Sequence, residues 1–309
     1  KKKARQDEWQ EQTQSVFASV EVGWKSMLYL TLTGRNDWAS QLANSSTPCF
    51  FYPSVGLSGV ISEMLTLPEF IDYMKVRGSF SSVGMPYPRN LTSPTYEYDE
   101  ANQQWKPKTH YPIKDLKPER TNSWELGLDM RLFKDFSLGF SWYLANTFNQ
   151  TFDPKVSVSS GYSKIYLQTG YVRNSGVELS LGYGHTWNNH LHWESNFTLS
   201  HNKNTIKDLV TSYIHPETGL PITQNRLDVG GLGKARFILK KGGTLGDLYT
   251  QSDLKRDNSG MVEIDPSGAL TTEDNLPDIK LGSVFPKANL AWNNRFEWRG
   301  ISLSALFTA

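Results

Sequence analysis

Apolar and polar positions alternate one by one through the most regular segments of this chain. From Trp124 to Leu132 the apolar side chains are Trp124, Leu126, Leu128, Met130 and Leu132, with Glu125, Gly127, Asp129 and Arg131 between them. Strand side chains point alternately to opposite faces, so a period of two makes one apolar and one polar face. A helix would scatter the same residues around its circumference. After a break at Phe133-Lys134-Asp135 the period resumes, with Phe136, Leu138, Phe140 and Trp142 alternating with Ser137, Gly139 and Ser141. Two such runs across a tight break predict a β-hairpin.

The same signature recurs along the chain. Val177, Leu179, Leu181 and Tyr183 form one run, and Leu191, Trp193, Phe197 and Leu199 follow after His185 to His190. Leu290, Trp292, Phe296 and Trp298 precede Arg299-Gly300, and Ile301 and Leu303 follow it. An early pair turns near Lys25-Ser26, from Val20, Val22 and Trp24 into Leu28, Leu30 and Leu32. Weaker strand signals cover Phe50 to Ile61 and Met74 to Val83, with a short helical turn expected between Ser62 and Tyr73. About ten strands are expected in all.

The connections alternate in length. Short turns are expected at Lys25, Phe133, Gly184 and Arg299. Long links run from Gly84 to Thr121, from Ala145 to Gly170, and from His201 to about Phe285. Transmembrane β-barrels have this asymmetry, with short periplasmic turns and long outer loops. Soluble sandwiches show more even spacing, and links this long are uncommon in compact soluble domains. Aromatic residues gather near the short turns, among them Trp24, Phe133, Phe136, Tyr183, Trp187, Trp193 and Trp298. Rings there suit the girdle at headgroup depth, although a soluble β-fold would also place aromatics in its core. On the barrel reading Trp124, Leu126, Leu128, Met130, Leu132, Phe136, Leu138, Phe140 and Trp142 face lipid.

Composition sharpens the fold class to an all-β, transmembrane antiparallel β-barrel. The chain holds 10 Trp, 14 Tyr and 15 Phe, yet its mean hydropathy is negative. There is no run of about 18 apolar residues, so no membrane-spanning helix is expected. A barrel tolerates such a composition because only alternate strand residues meet lipid. The net charge of +1 lacks the basic excess of a nucleic-acid binder. One cysteine, Cys49, leaves no internal disulfide.

No catalytic constellation is found, and neither a cofactor nor a metal is expected. Gly230-Gly-Leu-Gly-Lys234 fails as a phosphate loop because Ala235 stands where the hydroxyl is required. His185, His190 and His192 have no nearby acidic or cysteine cluster and read as surface residues. Asp257 to Asp265 lacks the order of a calcium loop and reads as a solvated turn. Strand carboxylates such as Glu125, Asp129, Glu178 and Glu194 fit a water-filled lumen. The candidates for ligand contact are the outer-loop rings Tyr96, Tyr98, Trp105, Tyr111, Phe152, Tyr162 and Tyr166, and the competing reading is that such rings only brace the loops.

Several segments resemble the SusC/RagA family of TonB-dependent transporters. They are residues 31–37 (Thr-Leu-Thr-Gly-Arg-Asn-Asp), 51–63 (Phe-Tyr-Pro-Ser-Val-Gly-Leu-Ser-Gly-Val-Ile-Ser-Glu) and 76–84 (Val-Arg-Gly-Ser-Phe-Ser-Ser-Val-Gly). Further matches are 116–131, with Trp124-Glu-Leu-Gly-Leu at its centre, 172–181 (Val-Arg-Asn-Ser-Gly-Val-Glu-Leu-Ser-Leu) and 285–296. They run in family order over almost the whole chain.

The resemblance implies a plugged barrel of about 22 strands, a size class that barrel geometry allows. Residues 1–309 would form part of one barrel domain, with the plug and the last strands outside this chain. It further implies the outer membrane of a Gram-negative, Bacteroidetes-like cell. The implied function is energised import of an oligosaccharide or an oligopeptide. TonB and a SusD-like surface lipoprotein are the implied partners. A passive porin, distinguished by the lack of a plug, and a soluble β-rich glycan-binding module, distinguished by independence from detergent, are the competing readings.

Overall fold

The computed structural model describes residues 10–309 except 44, 87–90, 92–96, 100–101, 107–116, 153–166, 188–189, 215–218 and 220. Ten strands form one sheet. They are β1 (Thr13–Trp24), β2 (Leu28–Ala39), β3 (Cys49–Val60), β4 (Ile71–Met85) and β5 (Glu119–Leu132), then β6 (Phe136–Phe152), β7 (Leu167–Trp187), β8 (Leu191–Asp208), β9 (Asn289–Trp298) and β10 (Ile301–Thr308). Each pairs antiparallel with the next in chain order, so the sheet is an up-and-down meander. A four-residue helix, Ile61–Met64, lies in the link between β3 and β4, where a helical turn was expected.

Register turns the alternation of single strands into continuous rows. One row of paired residues runs Trp24, Leu28, Gly59, Val76, Leu128, Phe140, Leu179, Leu199 and Leu290, crossing nine strands. The next level on the same face includes Met130, Leu138, Leu181, Phe197, Trp292 and Phe307. A slip of one residue would send every member of a row to the other face, so the pattern fixes the pairing. Many of these side chains are open to the surroundings, with Trp124, Leu126 and Val20 each more than half exposed. An apolar face of this extent is not stable in water. No helix among the described residues is long and apolar enough to cross a membrane.

The tight turns use consecutive left-handed residues: Lys25 and Ser26, Phe133 and Lys134, Arg299 and Gly300. Two positive φ angles in succession match the right-handed twist of the flanking strands. One expected turn is corrected. Gly184 lies inside β7, paired with Glu194, and the strand continues to Trp187 before the connection at 188–190. Hydrogen bonds from Gly184 N to Asp135 O and between His185 Nδ1 and Asp135 Oδ2 hold this extension against the neighbouring turn.

At the opposite end the strands outrun the sequence expectation. β6, β7 and β8 have 17, 21 and 18 residues, so the long links are shorter than expected. At about 3.3 Å per residue and a tilt of roughly 40°, β7 rises about 50 Å, well beyond an apolar band about 25 Å tall.

The longest link is also a folded unit. Residues Arg226–Leu232, Ala235–Lys240, Asp247–Thr250 and Ile279–Ser283 make a four-stranded sheet of their own. Its Leu239, with Leu209, packs against Val172 of β7 and Ile206 of β8 to form a buried cluster. A second buried cluster joins Ala39, Leu42, Phe50 and Leu91.

Candidate functional site: the polar face of the wall

The face opposite the apolar rows is polar, and an arginine organises its centre. Arg77 of β4 pairs in register with Gly127 of β5, and Gly127 pairs with Ser141 of β6. A Cβ on Gly127 would lie 2.5 Å from the Arg77 guanidinium, so glycine leaves the space in which the arginine lies across β5. Arg77 donates to Asp129 Oδ2 at 2.8 Å, Glu125 Oε1 at 3.4 Å and Ser141 Oγ at 2.7 Å. The polar row continues through Glu178, Ser200 and Asn289. Arg77, Asp129, Ser141, Glu178 and Ser180 line part of a concavity of about 670 Å³ on this face. It offers hydrogen-bonding groups of both signs to a hydrated solute. No nucleophile–base pair is seen among the described residues in it.

Toward the long links this face is covered. Val172 and Ile206, on the same face of β7 and β8 as Glu178 and Ser200, lie under the four-stranded unit. Ile206 N donates to Gly243 O and Gly242 N donates to Ile206 O, each at 2.8 Å. Asn204 receives a hydrogen bond from Leu245 N at 2.9 Å and donates to Asn174 Oδ1 at 2.8 Å.

Two carboxylates stitch the unit together. Asp278, with its side chain 6% exposed, binds Arg226 and Lys240. The hydrogen bond from Arg226 holds its carboxyl well below the usual range, with Lys240 adding to the effect against the opposing influence of burial. Burial pushes the Asp247 carboxyl up, but Lys280 and Thr244 outweigh it and the net shift is downward.

Asp257 and Asp265 occupy two successive turns of the same design. Asp257 Oδ1 accepts from Ser259 N, Ser259 Oγ and Met261 N, and Asp265 Oδ1 accepts from Ser267 N, Ser267 Oγ and Ala269 N. Their carboxylates are thereby engaged in shaping turns.

Of the ring residues assigned to ligand contact, Tyr98 is exposed and stands in register opposite Trp105 in the hairpin of Glu97–Asp99 and Gln104–Lys106. Phe152 ends β6, paired with Leu167. Tyr96, Tyr111, Tyr162 and Tyr166 lie outside the described residues. Arg77 and Ser141 were not singled out from the sequence, although their place among polar strand positions was the available signal.

A meander of long antiparallel strands, apolar on one face and polar on the other, turning tightly at one end and carrying long links at the other, defines the wall of a transmembrane β-barrel. The family model for the TonB dependent receptor-like β-barrel matches residues 3–260, and the chain belongs to that family. It is therefore a protein of the Gram-negative outer membrane.

Two curated relatives come from Formosa agariphila. TonB-dependent receptor P39 is 24% identical over 271 residues, covering 84% of this chain and 23% of that protein. TonB-dependent receptor P26 is 24% identical over 321 residues, covering 96% of this chain and 31% of that protein. Among solved structures, the RagAB peptide transporter superposes with a TM-score of 0.76 at 19% identity, covering 96% of this chain and 33% of that one. The outer membrane transporter YddB from Escherichia coli superposes with a TM-score of 0.52 at 10% identity, covering 96% of this chain and 41% of that one. These structural likenesses establish a shared fold. The chain spans about a quarter to a third of the length of the curated relatives it matches.

Proposed function

We propose that this chain is part of the wall of a plugged barrel of about 22 strands that imports an oligosaccharide or an oligopeptide, driven by TonB and assisted by a SusD-like lipoprotein. Membership of the receptor family carries this reading. The polar face centred on Arg77 supports it by supplying a hydrated passage wall rather than a reaction centre. The apolar rows, from Trp124 and Leu126 to Phe140 and Trp142, face the lipid. Rings of the outer loops, the exposed Tyr98 and Trp105 among them, contact the nutrient. The plug and the remaining strands come from other parts of the same protein, in keeping with the share of each relative that this chain spans.

The test is uptake of labelled oligosaccharides and oligopeptides by cells carrying the full-length protein, with and without TonB and with and without the lipoprotein. Saturable uptake lost on removal of TonB is the expected result. Uptake that persists without TonB and rises linearly with outside concentration would establish a porin instead.

A further inference from the structure

The four-stranded unit of residues 226–283 is tied into one body and seated on the wall by a dry seam. Asp278 binds Arg226 of its first strand, Lys240 of its second and Gln251 just after its third, and Asp247 joins the third strand to Lys280 of the fourth. Leu227 and Leu239 stand opposite each other in register and so share one face of the unit. That face meets Val172 of β7 and Ile206 of β8, which pair with each other, and Ile206 is fully buried. Beside this apolar contact the backbones are joined directly, Ile206 N donating to Gly243 O and Gly242 N to Ile206 O. Gly242 adopts a left-handed φ of 83° at this turn. Asn204 is oriented by its bond to Asn174 Oδ1 and accepts from Leu245 N. Lys241 pairs with Asp208 where the seam meets solvent.

The seat has a defined place along the strands. The paired Val172 and Ile206 lie six residues beyond the paired Glu178 and Ser200 of the polar row, toward the long links. At about 3.3 Å per residue and a tilt of roughly 40°, that is about 15 Å farther out than the concavity beside Arg77. A sheet laid on another takes about 10 Å of depth, so the unit narrows the space in front of the wall by about that much. Elements that open and close come from the least stable parts of a fold, where few apolar contacts are buried. This seam has the opposite character. Lifting the unit would wet the apolar cluster and strip partners from both backbone groups of Ile206 and from the Asn204 oxygen.

We propose that residues 226–283 are a fixed constriction of the passage, docked throughout import, which admits extended, unbranched oligomers and excludes branched or compact ones. The proposal rests on the reading that the polar face lines the passage. A fixed element limits size by geometry alone and needs no signal from the nutrient. A lid, in contrast, would have to be moved by a difference in affinity between its open and closed states. The internal ties through Asp278 and Asp247 make the unit respond as a whole, so its seat on Val172 and Ile206 decides whether it stays or leaves.

The experiment uses the full-length protein in cells. The probes are pools of linear and branched oligosaccharides and oligopeptides matched in mass, and mass spectrometry reads what enters. Asp208→Cys with Lys241→Cys puts two thiols across the seam, and a short reducible linker bridges them, each single-cysteine variant serving as control. Bridged protein is expected to import linear oligomers within about twofold of the unbridged protein, because an equilibrium that does not include undocking is not shifted. A fall of about tenfold or more that reduction reverses would identify a lid and overturn the proposal. Ile206→Asp places a carboxylate in the apolar seam and should undock the unit. Gly242→Val, strained at its left-handed position, is the second undocking variant. Faster hydrogen exchange of residues 239–245 reports undocking, and electrophoretic heat-modifiability reports a folded barrel. The undocked protein is expected to import branched oligomers that the native protein excludes, and an undocked, folded variant with the native preference would also overturn the proposal. Failure of the import reading shows differently, as native uptake independent of TonB.

Discussion

Replacing Leu128 with arginine probes the face assignment at its most sensitive point. Leu128 sits in the nine-strand apolar row, paired with Val76 on one side and Phe140 on the other. It lies four residues from Leu132, the last residue of β5 before the tight turn. Four residues at about 3.3 Å and a tilt of roughly 40° put it about 10 Å above the turn, close to the middle of a band about 25 Å tall. An arginine at the midplane costs about 2–4 kcal/mol. That lowers the folded-to-unfolded ratio by a factor of roughly 30 to 1,000, since each 1.4 kcal/mol is tenfold.

The neighbouring Asp129 points to the other face, where its carboxylate accepts from Arg77 and its side chain is 43% exposed. Asp129→Asn keeps a hydrogen-bond acceptor there, and loss of an exposed ion pair costs at most about 1 kcal/mol. Urea titrations of the full-length protein in lipid vesicles, followed by tryptophan fluorescence, measure both changes. Leu128→Arg costing less than Asp129→Asn would refute the assignment and place the register one residue out.

Two further outcomes concern the folded link. A Cβ on Gly231 would stand 2.1 Å from the Ala235 carbonyl oxygen and 2.7 Å from Arg236 Cα, so Gly231→Ala must open the hairpin, at about 1–3 kcal/mol. Hydrogen exchange should accelerate for residues 226–240 and not for β5 and β6; unchanged exchange throughout would contradict the geometry. Asp278 and Asp247 are held below their ordinary range, so their stabilisation is fully present above the unfolded value of about 3.9 and is lost as pH falls through the lower folded values. Proteolysis of 209–288, with an acid-active protease, should be flat from about pH 7 to 5 and rise below about pH 4. A rise that begins near pH 6 would assign the effect to other groups.

Much of the wall was legible because strand alternation is a local property. The hairpins around Lys25, Phe133 and Arg299 show their period of two in consecutive residues, and their breaks fall where the backbone adopts left-handed angles. The connection after β7 was less legible. Tyr183, His185 and Trp187 continue the alternation through Gly184, but histidine and glycine dilute the apolar signal, and the contacts that hold this part extended come from Asp135.

The polar site was legible only as a class of position. Glu125 and Asp129 were recognisable as residues of the polar face from their alternation. Their union through Arg77 joins positions 48 and 52 residues apart, and the bond to Ser141 spans 64. No local pattern encodes such distances. The fold of the long link was hidden for the same reason. Asp278 finds Arg226 across 52 residues, and the buried anchors Val172 and Ile206 sit at ordinary strand positions until Leu209 and Leu239 arrive to cover them.

By itself, then, the sequence determined that this protein has two-faced strands, where most of them turn tightly, and which face is apolar. Those properties follow from the backbone's own period and from the cost of wetting apolar side chains. Tertiary structure alone decided which polar residues meet, how far the strands of β6 to β8 extend, and that the longest link folds back onto the polar face. Each depends on register and packing between segments distant in sequence, where the partner and not the residue sets the energy.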